Sequence, residues 1–186
     1  MAIPKTPKPQ TLYKLTDTNG QTRGGTQWGE NVTHTATGGE SQNLCSNGWI
    51  HAYEHPDLAV LLNPIHCDFQ SPQLWESRGV VGKRDGRLKC GCRKLTTVKE
   101  IPLPEWNTTQ RVAFGILCAL EVEKDLLFVS WANKWLSGED RSIEAAARAA
   151  RAARAAEAAE AAARAAWAAG KPIDLIAIAA KAKEII

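Results

Sequence analysis

Histidines and cysteines crowd one stretch of this chain: Cys45, His51, His55, His66, Cys67, Cys90 and Cys92. Imidazole and thiolate are the ligands zinc prefers, so a metal centre is the first chemistry to weigh. His51 and His55 stand four apart, and Cys90-Gly91-Cys92 offers two thiolates. Zinc fingers, knuckles and ribbons, however, place two residues between their cysteines, not one. On a strand, Cys90 and Cys92 share a face, where buried thiols pack as small apolar groups. The sequence therefore predicts no metal and no cofactor. The five cysteines, with no secretion signal, read as reduced thiols in a cytoplasm.

A second constellation suits recognition. His51 and Tyr53 fall on one predicted strand, and Arg23 and Trp28 come from the glycine-rich stretch before it. Together Arg23, Trp28, His51 and Tyr53 make a candidate pocket with aromatic walls and hydrogen-bond donors, suited to a nucleotide or an NAD-like ligand. The plainer account is a core strand with one hydrogen-bonded histidine. Arg23-Gly24-Gly25-Thr26 could turn backbone N–H groups toward a phosphate, but it matches neither a P-loop nor a dinucleotide fingerprint. No Ser-His-Asp order, nucleophile elbow or His-Glu-x-x-His run appears, so no catalytic residue is assigned. Glu54 beside His55 is an acid/base pair without specificity.

Lys83, Arg84, Arg87, Lys89, Arg93, Lys94 and Lys99 make the region 83–99 basic. No aromatic side chains interleave there as single-strand nucleic-acid platforms require, so the charges read as a solvated face that blunts edge pairing. The net charge of +3 argues likewise against a dedicated polyanion binder. No apolar run approaches the roughly 20 residues of a bilayer span.

The elements that must hold these residues are strands first and helices after. Residues 11–15 alternate as a strand, Asp17-Thr18-Asn19-Gly20 signals a turn, and 20–48 are loop-rich. Residues 49–53 form a second strand. A short helix is predicted over 57–62, led in by Pro56 and ended by Asn63-Pro64. Strands follow at 74–81 and 88–98 around Lys83-Arg84-Asp85-Gly86. Ile101-Pro102-Leu103-Pro104 breaks the chain. After it, Val112, Phe114, Ile116, Leu117 and Leu120 lie in a helical run. Residues 125–136 form another helix, with Leu127, Phe128, Trp131 and Trp135 on one face. The expected organisation is α+β: an arm at 1–10, a β-rich domain at 11–104, a helical pair packed on it at 105–141, and an alanine-rich tail at 142–186.

That tail is nearly pure alanine, the best helix former. Ser137 is its expected N-cap and Gly170-Lys171-Pro172 its stop. Residues 143–169 would make a helix about 40 Å long at about 1.5 Å per residue. Glu144–Arg148 and Glu160–Arg164 are spaced to pair. Charges in steps of three drift around the cylinder, so no clean apolar stripe is expected. Alanine permits close helix approach, which fits either an oligomerisation arm or a helix lying along its own domain. Residues 173–186 form a short amphipathic helix able to fold back on it. In this picture a tryptophan-rich head recognises and the rod holds copies or segments together.

The segments Leu12-Tyr13-Lys14-Leu15-Thr16-Asp17, Gly25-Thr26-Gln27-Trp28-Gly29, Cys45-Ser46-Asn47-Gly48-Trp49-Ile50-His51-Ala52-Tyr53 and Trp131-Ala132-Asn133-Lys134-Trp135-Leu136-Ser137-Gly138-Glu139-Asp140-Arg141-Ser142 resemble a bacteriophage and prophage family of accessory proteins without an assigned chemistry. The resemblance implies a β-rich front, a helical back and an alanine-rich tail of variable length. It also implies a small cytoplasmic phage protein acting against host defence by binding a host protein or a nucleotide-type signal. Tyr13-Lys14-Leu15-Thr16 with Gly48-Trp49-Ile50-His51 is similar, more faintly, to the front half of ADP-ribosyltransferase-like folds, for which Glu100 and Glu121 are the candidate acids. Three readings follow. The first is a non-enzymatic binder that self-associates through its helices. The second is an NAD- or ADP-ribose-using enzyme, and the third a structural protein working through the alanine helix. The first is preferred, with neither nucleic acid nor membrane as partner.

Overall fold

The computed structural model describes residues 8–142 and 155–186. The fold is α+β, and contacts divide it into a strand-rich unit, residues 1–63 and 67–103, and a helical unit, residues 64–66 and 104–186.

In the first unit, β1 (Gln10–Thr16) pairs antiparallel with β6 (Gln73–Asp85), and β6 with β7 (Lys89–Ile101). β5 (Ile50–Ala52) pairs with β7 at Cys90, Gly91 and Cys92. Just past β5, Tyr53 exchanges both backbone hydrogen bonds with Tyr13, each 2.8 Å. The ladder β1–β6–β7–β5 thus returns to β1. β4 (Thr33–Thr35) extends the other half of β7, while β2 (Gln21–Thr22) and β3 (Thr26–Gln27) form a separate small hairpin. One core cluster of this unit joins Leu12, Trp28, Ala52, Cys90, Cys92 and Leu95. Cys90 and Cys92 share that cluster, as their spacing on a strand requires.

Several boundaries differ from expectation. The β6–β7 hairpin turns at Gly86-Arg87, both at positive φ (51° and 65°), two residues beyond the expected corner. This is the primed geometry that matches strand twist. α1 (Pro56–His66) runs through Pro64 instead of stopping before it. A proline there removes one N–H, and Asn63 secures the last turn regardless. Its carbonyl accepts from Cys67 N at 2.9 Å and Asp68 N at 2.7 Å, and its amide bonds Phe69 N and O.

In the helical unit α2 (Thr108–Val122) begins with a reciprocal capping box between Asn107 and Gln110. α3 (Leu126–Ser137) ends at Gly138, whose φ of 81° makes a left-handed cap. Ser137 is therefore the last residue of α3, its hydroxyl donating to Lys134 O, and not the expected N-cap of the next helix. The alanine helix is seen as α4 (Ala155–Ala168), closed by Gly170 at φ 69°. Residues 143–154, including the Glu144–Arg148 pair, lie outside the described residues, as do residues 1–7 of the arm. Glu160–Arg164 pairs at 2.7 Å.

An apolar stripe does exist on α4. Ala159, Ala162, Ala163 and Ala166 are buried, at helical i, i+3, i+4, i+7 spacing. The period of the charges concealed the period of the alanines between them. This face packs on α2, and α5 (Leu175–Lys183) packs on α2 as well through Leu175, Ile178, Ala179 and Ala182. The rod and the last helix are thus both laid against α2. On α3 the expected apolar face is buried only at its C-terminal end: Trp135 is 5% exposed, but Leu127 is 82% and Leu126 81%.

Candidate functional site

The geometry of the strand-rich unit centres on a residue the sequence reading passed over. Lys14 lies on β1 with the parity of Leu12, so its side chain enters the interior that Leu12 occupies. Only 9% of it is exposed. Its ammonium donates to the backbone carbonyl of His51 at 2.8 Å and sits 5.2 Å above the Trp28 ring. Burial, slightly offset by the thiols of Cys67, Cys92 and Cys90, pushes its pKa down to about 8.

Of the four residues expected to form a pocket, Trp28 and His51 contact this lysine and Tyr53 bonds Cys67, while Arg23 lies apart on the surface. Trp28 covers the ammonium as a cation–π partner. Its indole Nε1–H donates to Thr22 Oγ1 at 3.0 Å, and its ring meets His34 edge-on. His51 supplies the carbonyl just named, while its own Nε2–H donates to Leu44 O at 2.6 Å. Burial lowers the His51 pKa, the Leu44 carbonyl opposes this, and the charges of Lys89 and Lys14 lower it further. Tyr53 is buried, and its phenol bonds Cys67; burial foremost, with Cys67 beside it, raises its pKa well above the ordinary value. Arg23 sits exposed at the β2–β3 turn, within electrostatic reach of Cys67. Arg23-Gly24-Gly25 does turn through positive φ, but Gly25 N already bonds Thr22 O at 3.1 Å.

A second buried cation was also missed. Lys89, 9% exposed, leads β7 and donates to Cys45 Sγ at 3.3 Å. Among the described residues neither Lys14 nor Lys89 makes an ion pair. By sequence Lys89 belongs with the basic face expected to be solvated. Other members of that face are held by the protein: Arg84 makes two bonds to Glu54, at 3.0 and 2.8 Å, and Arg93 donates to Gly48 O. The missed signal in β1 was a lysine on the inward parity of a strand whose two faces both carry leucine.

Cys90 and Cys92 behave as a pair. The Cys90 thiol donates to Ala52 O at 3.4 Å; interaction with Cys92 and burial push it up, while Cys92 is pushed down, with Lys14 close enough to assist. Among the described residues no three His, Cys, Asp or Glu side chains converge as a metal site. His55, the other half of the spaced histidine pair, instead caps α1 by accepting from Asp57 N at 3.3 Å. Glu100, a candidate acid of the transferase resemblance, does not accompany His51. Glu100 is nine residues along β7 from Gly91, the partner of His51, or about 30 Å at about 3.3 Å per residue. Glu121 belongs to α2 in the helical unit.

The helical unit has a cleft of its own, about 670 Å³. Ala165, Ala166 and Ala169 of the rod line it, with Ile178 and Lys181 of α5. The rod therefore contributes to a concave surface, which the expected division between a recognising head and a holding rod did not include. Among the described residues no helix is long and apolar enough to cross a membrane. Comparison of the chain with protein-family models, with curated proteins and with solved structures found no match.

Proposed function

We propose that this chain is a non-enzymatic binding protein of the phage accessory type, which takes a flat, anionic, nucleotide-type ligand at the Lys14–His51–Lys89 site. In the cytoplasm of an infected bacterium it would act by sequestering an immune signal of that chemistry. The observation that carries the reading is the pair of lysines, each nine-tenths buried and neither ion-paired among the described residues. A buried ammonium without an anion is electrostatically costly, and a ligand phosphate would supply the missing charge. Trp28 lies buried against the Lys14 ammonium, and Arg23 stands at the outer turn as a second cation. The Trp28 indole N–H, donating to Thr22 Oγ1, links the ring over the lysine to the β2–β3 hairpin.

The test is a thermal-shift panel of cyclic nucleotides and ADP-ribose derivatives, run on the full chain with Lys14→Met and Lys89→Met beside it. A shift of several degrees with at least one compound, lost in both variants, supports the reading. No shift with any of them overturns it, and turnover of NAD by the same preparation would replace binding with catalysis.

A further inference from the structure

The connection between α2 and α3 leaves apolar side chains in water. Residues 121–127 are all exposed, Val122 at 40%, Leu126 at 81% and Leu127 at 82%. Contiguous apolar groups exposed in this way mark interaction sites. The same end of the helical unit is also concave. Val122 lines the cleft of about 670 Å³, with Ala165 and Ala169 of α4 and with Ile173 and Ile178. Val122 thus belongs to both features, and Leu126 follows it by one helical turn's worth of residues. An apolar knob and an apolar hole adjoin on one surface of one unit.

We propose that this surface binds a second copy of the chain, with Leu126 and Leu127 of each copy seated in the cleft of the other about a two-fold axis. Because knob and cleft lie side by side, each copy gives one contact and receives one, and the assembly closes at two. The charges fit the same partner. Glu123 and Asp125 flank the leucines, while Lys124 is turned back onto α2, its ammonium donating to Leu120 O at 2.8 Å. The cleft wall presents Lys171 and Lys181, and among the described residues neither ammonium has a hydrogen bond or an ion pair. Two acids also stand on that wall. Asp174 is spent capping α5, its Oδ1 accepting from Ile176 N and Ala177 N at 3.2 Å each, and Glu121 precedes Val122 on the knob's own side. Carboxylates of one copy therefore meet ammonium groups of the other around an apolar centre, the core-and-rim composition of specific interfaces. The surface belongs to the helical unit alone, so the proposal stands apart from the ligand reading above, which rests on the strand-rich unit.

The experiment is sedimentation equilibrium of the full chain at about 100 μM, where a contact of micromolar strength is saturated. The expected mass is twice that of the monomer. Leu126→Glu with Leu127→Glu removes the knob, and Ala165→Trp, at an exposed position, fills the cleft. Each variant alone should sediment as a monomer, with circular dichroism confirming that it is folded; Ala169→Trp replaces Ala165→Trp if the latter does not fold. An equimolar mixture of the two should regain dimer, because the knob of the filled-cleft chain still fits the open cleft of the other. Lys171→Glu with Lys181→Glu should weaken the parent dimer about tenfold. A monomeric parent, a dimer that survives either single-surface variant, or a mixture that stays monomeric overturns the proposal. A monomeric parent whose melting temperature rises with decanoate would give the cleft to a small amphiphile instead.

Discussion

The Lys14 ammonium donates to the His51 carbonyl across 2.8 Å, joining β1 to β5 through a side chain where the two strands also meet at Tyr13 and Tyr53. One hydrogen bond and one aromatic ring are modest company for a charge taken out of water.

Lys14 should therefore lower stability at neutral pH. Its folded pKa of about 8 lies below its unfolded value near 10.5, so the unfolded chain holds more protons between those limits. The penalty is full below about pH 8, at roughly 3 kcal/mol before the hydrogen bond and ring contact are counted, and fades as pH rises toward 10.5. Urea unfolding of Lys14→Met against the parent should show the variant more stable at pH 7, with the gap closing by pH 10. A gap that widens with pH would refute this account of the site.

Gly91 faces His51 across β5 and β7, and an added Cβ there would come within 2.4 Å of Leu44 Cδ1 and 3.1 Å of Trp49 Cβ. Gly91→Ala should cost about 1–3 kcal/mol by overpacking. Because Leu44 carries the carbonyl that His51 Nε2–H bonds, the His51 resonances should shift with it. Denaturant melts and imidazole NMR check the two effects together.

On α4, Ala163 is 1% exposed and Ala161 is exposed. Ala163→Leu should destabilise the helical unit by about 1–3 kcal/mol, while Ala161→Leu should stay within about 0.5 kcal/mol. Equal effects in thermal melts would mean that the stripe against α2 is misassigned.

Leu126 and Leu127, more than four-fifths exposed, contribute little to the fold of the isolated chain. Replacing both with Glu should leave unfolding within about 0.5 kcal/mol per site. If the chain self-associates through these helices, the same variant should fall to monomer mass in sedimentation, whereas an unchanged mass would remove this face from any assembly.

Sequence periodicity located the strands, the break at residues 101–104 and the glycine stop at Gly170 well, because each rests on local backbone chemistry. It also grouped His51 and Tyr53, two residues apart, the first in β5 and the second just past it. It missed Lys14 and Lys89 because lysine is so seldom buried that its parity on a strand goes unread. Pro64 reads as a helix stop in the sequence because the compensating bonds of Asn63 come from residues further along. The alanine stripe is illegible in the sequence because the charges between the alanines follow a different period, and only α2 shows which alanines matter.

The ring of strands has a consequence for how the chain is made. β1 leaves the ribosome first, yet its partner β6 begins roughly 60 residues later. At about 5–20 residues per second, that is a wait of about 3–12 s with an unpaired edge. During vectorial synthesis the nascent β1 keeps its backbone groups bonded to water until the hairpin that completes the circuit emerges.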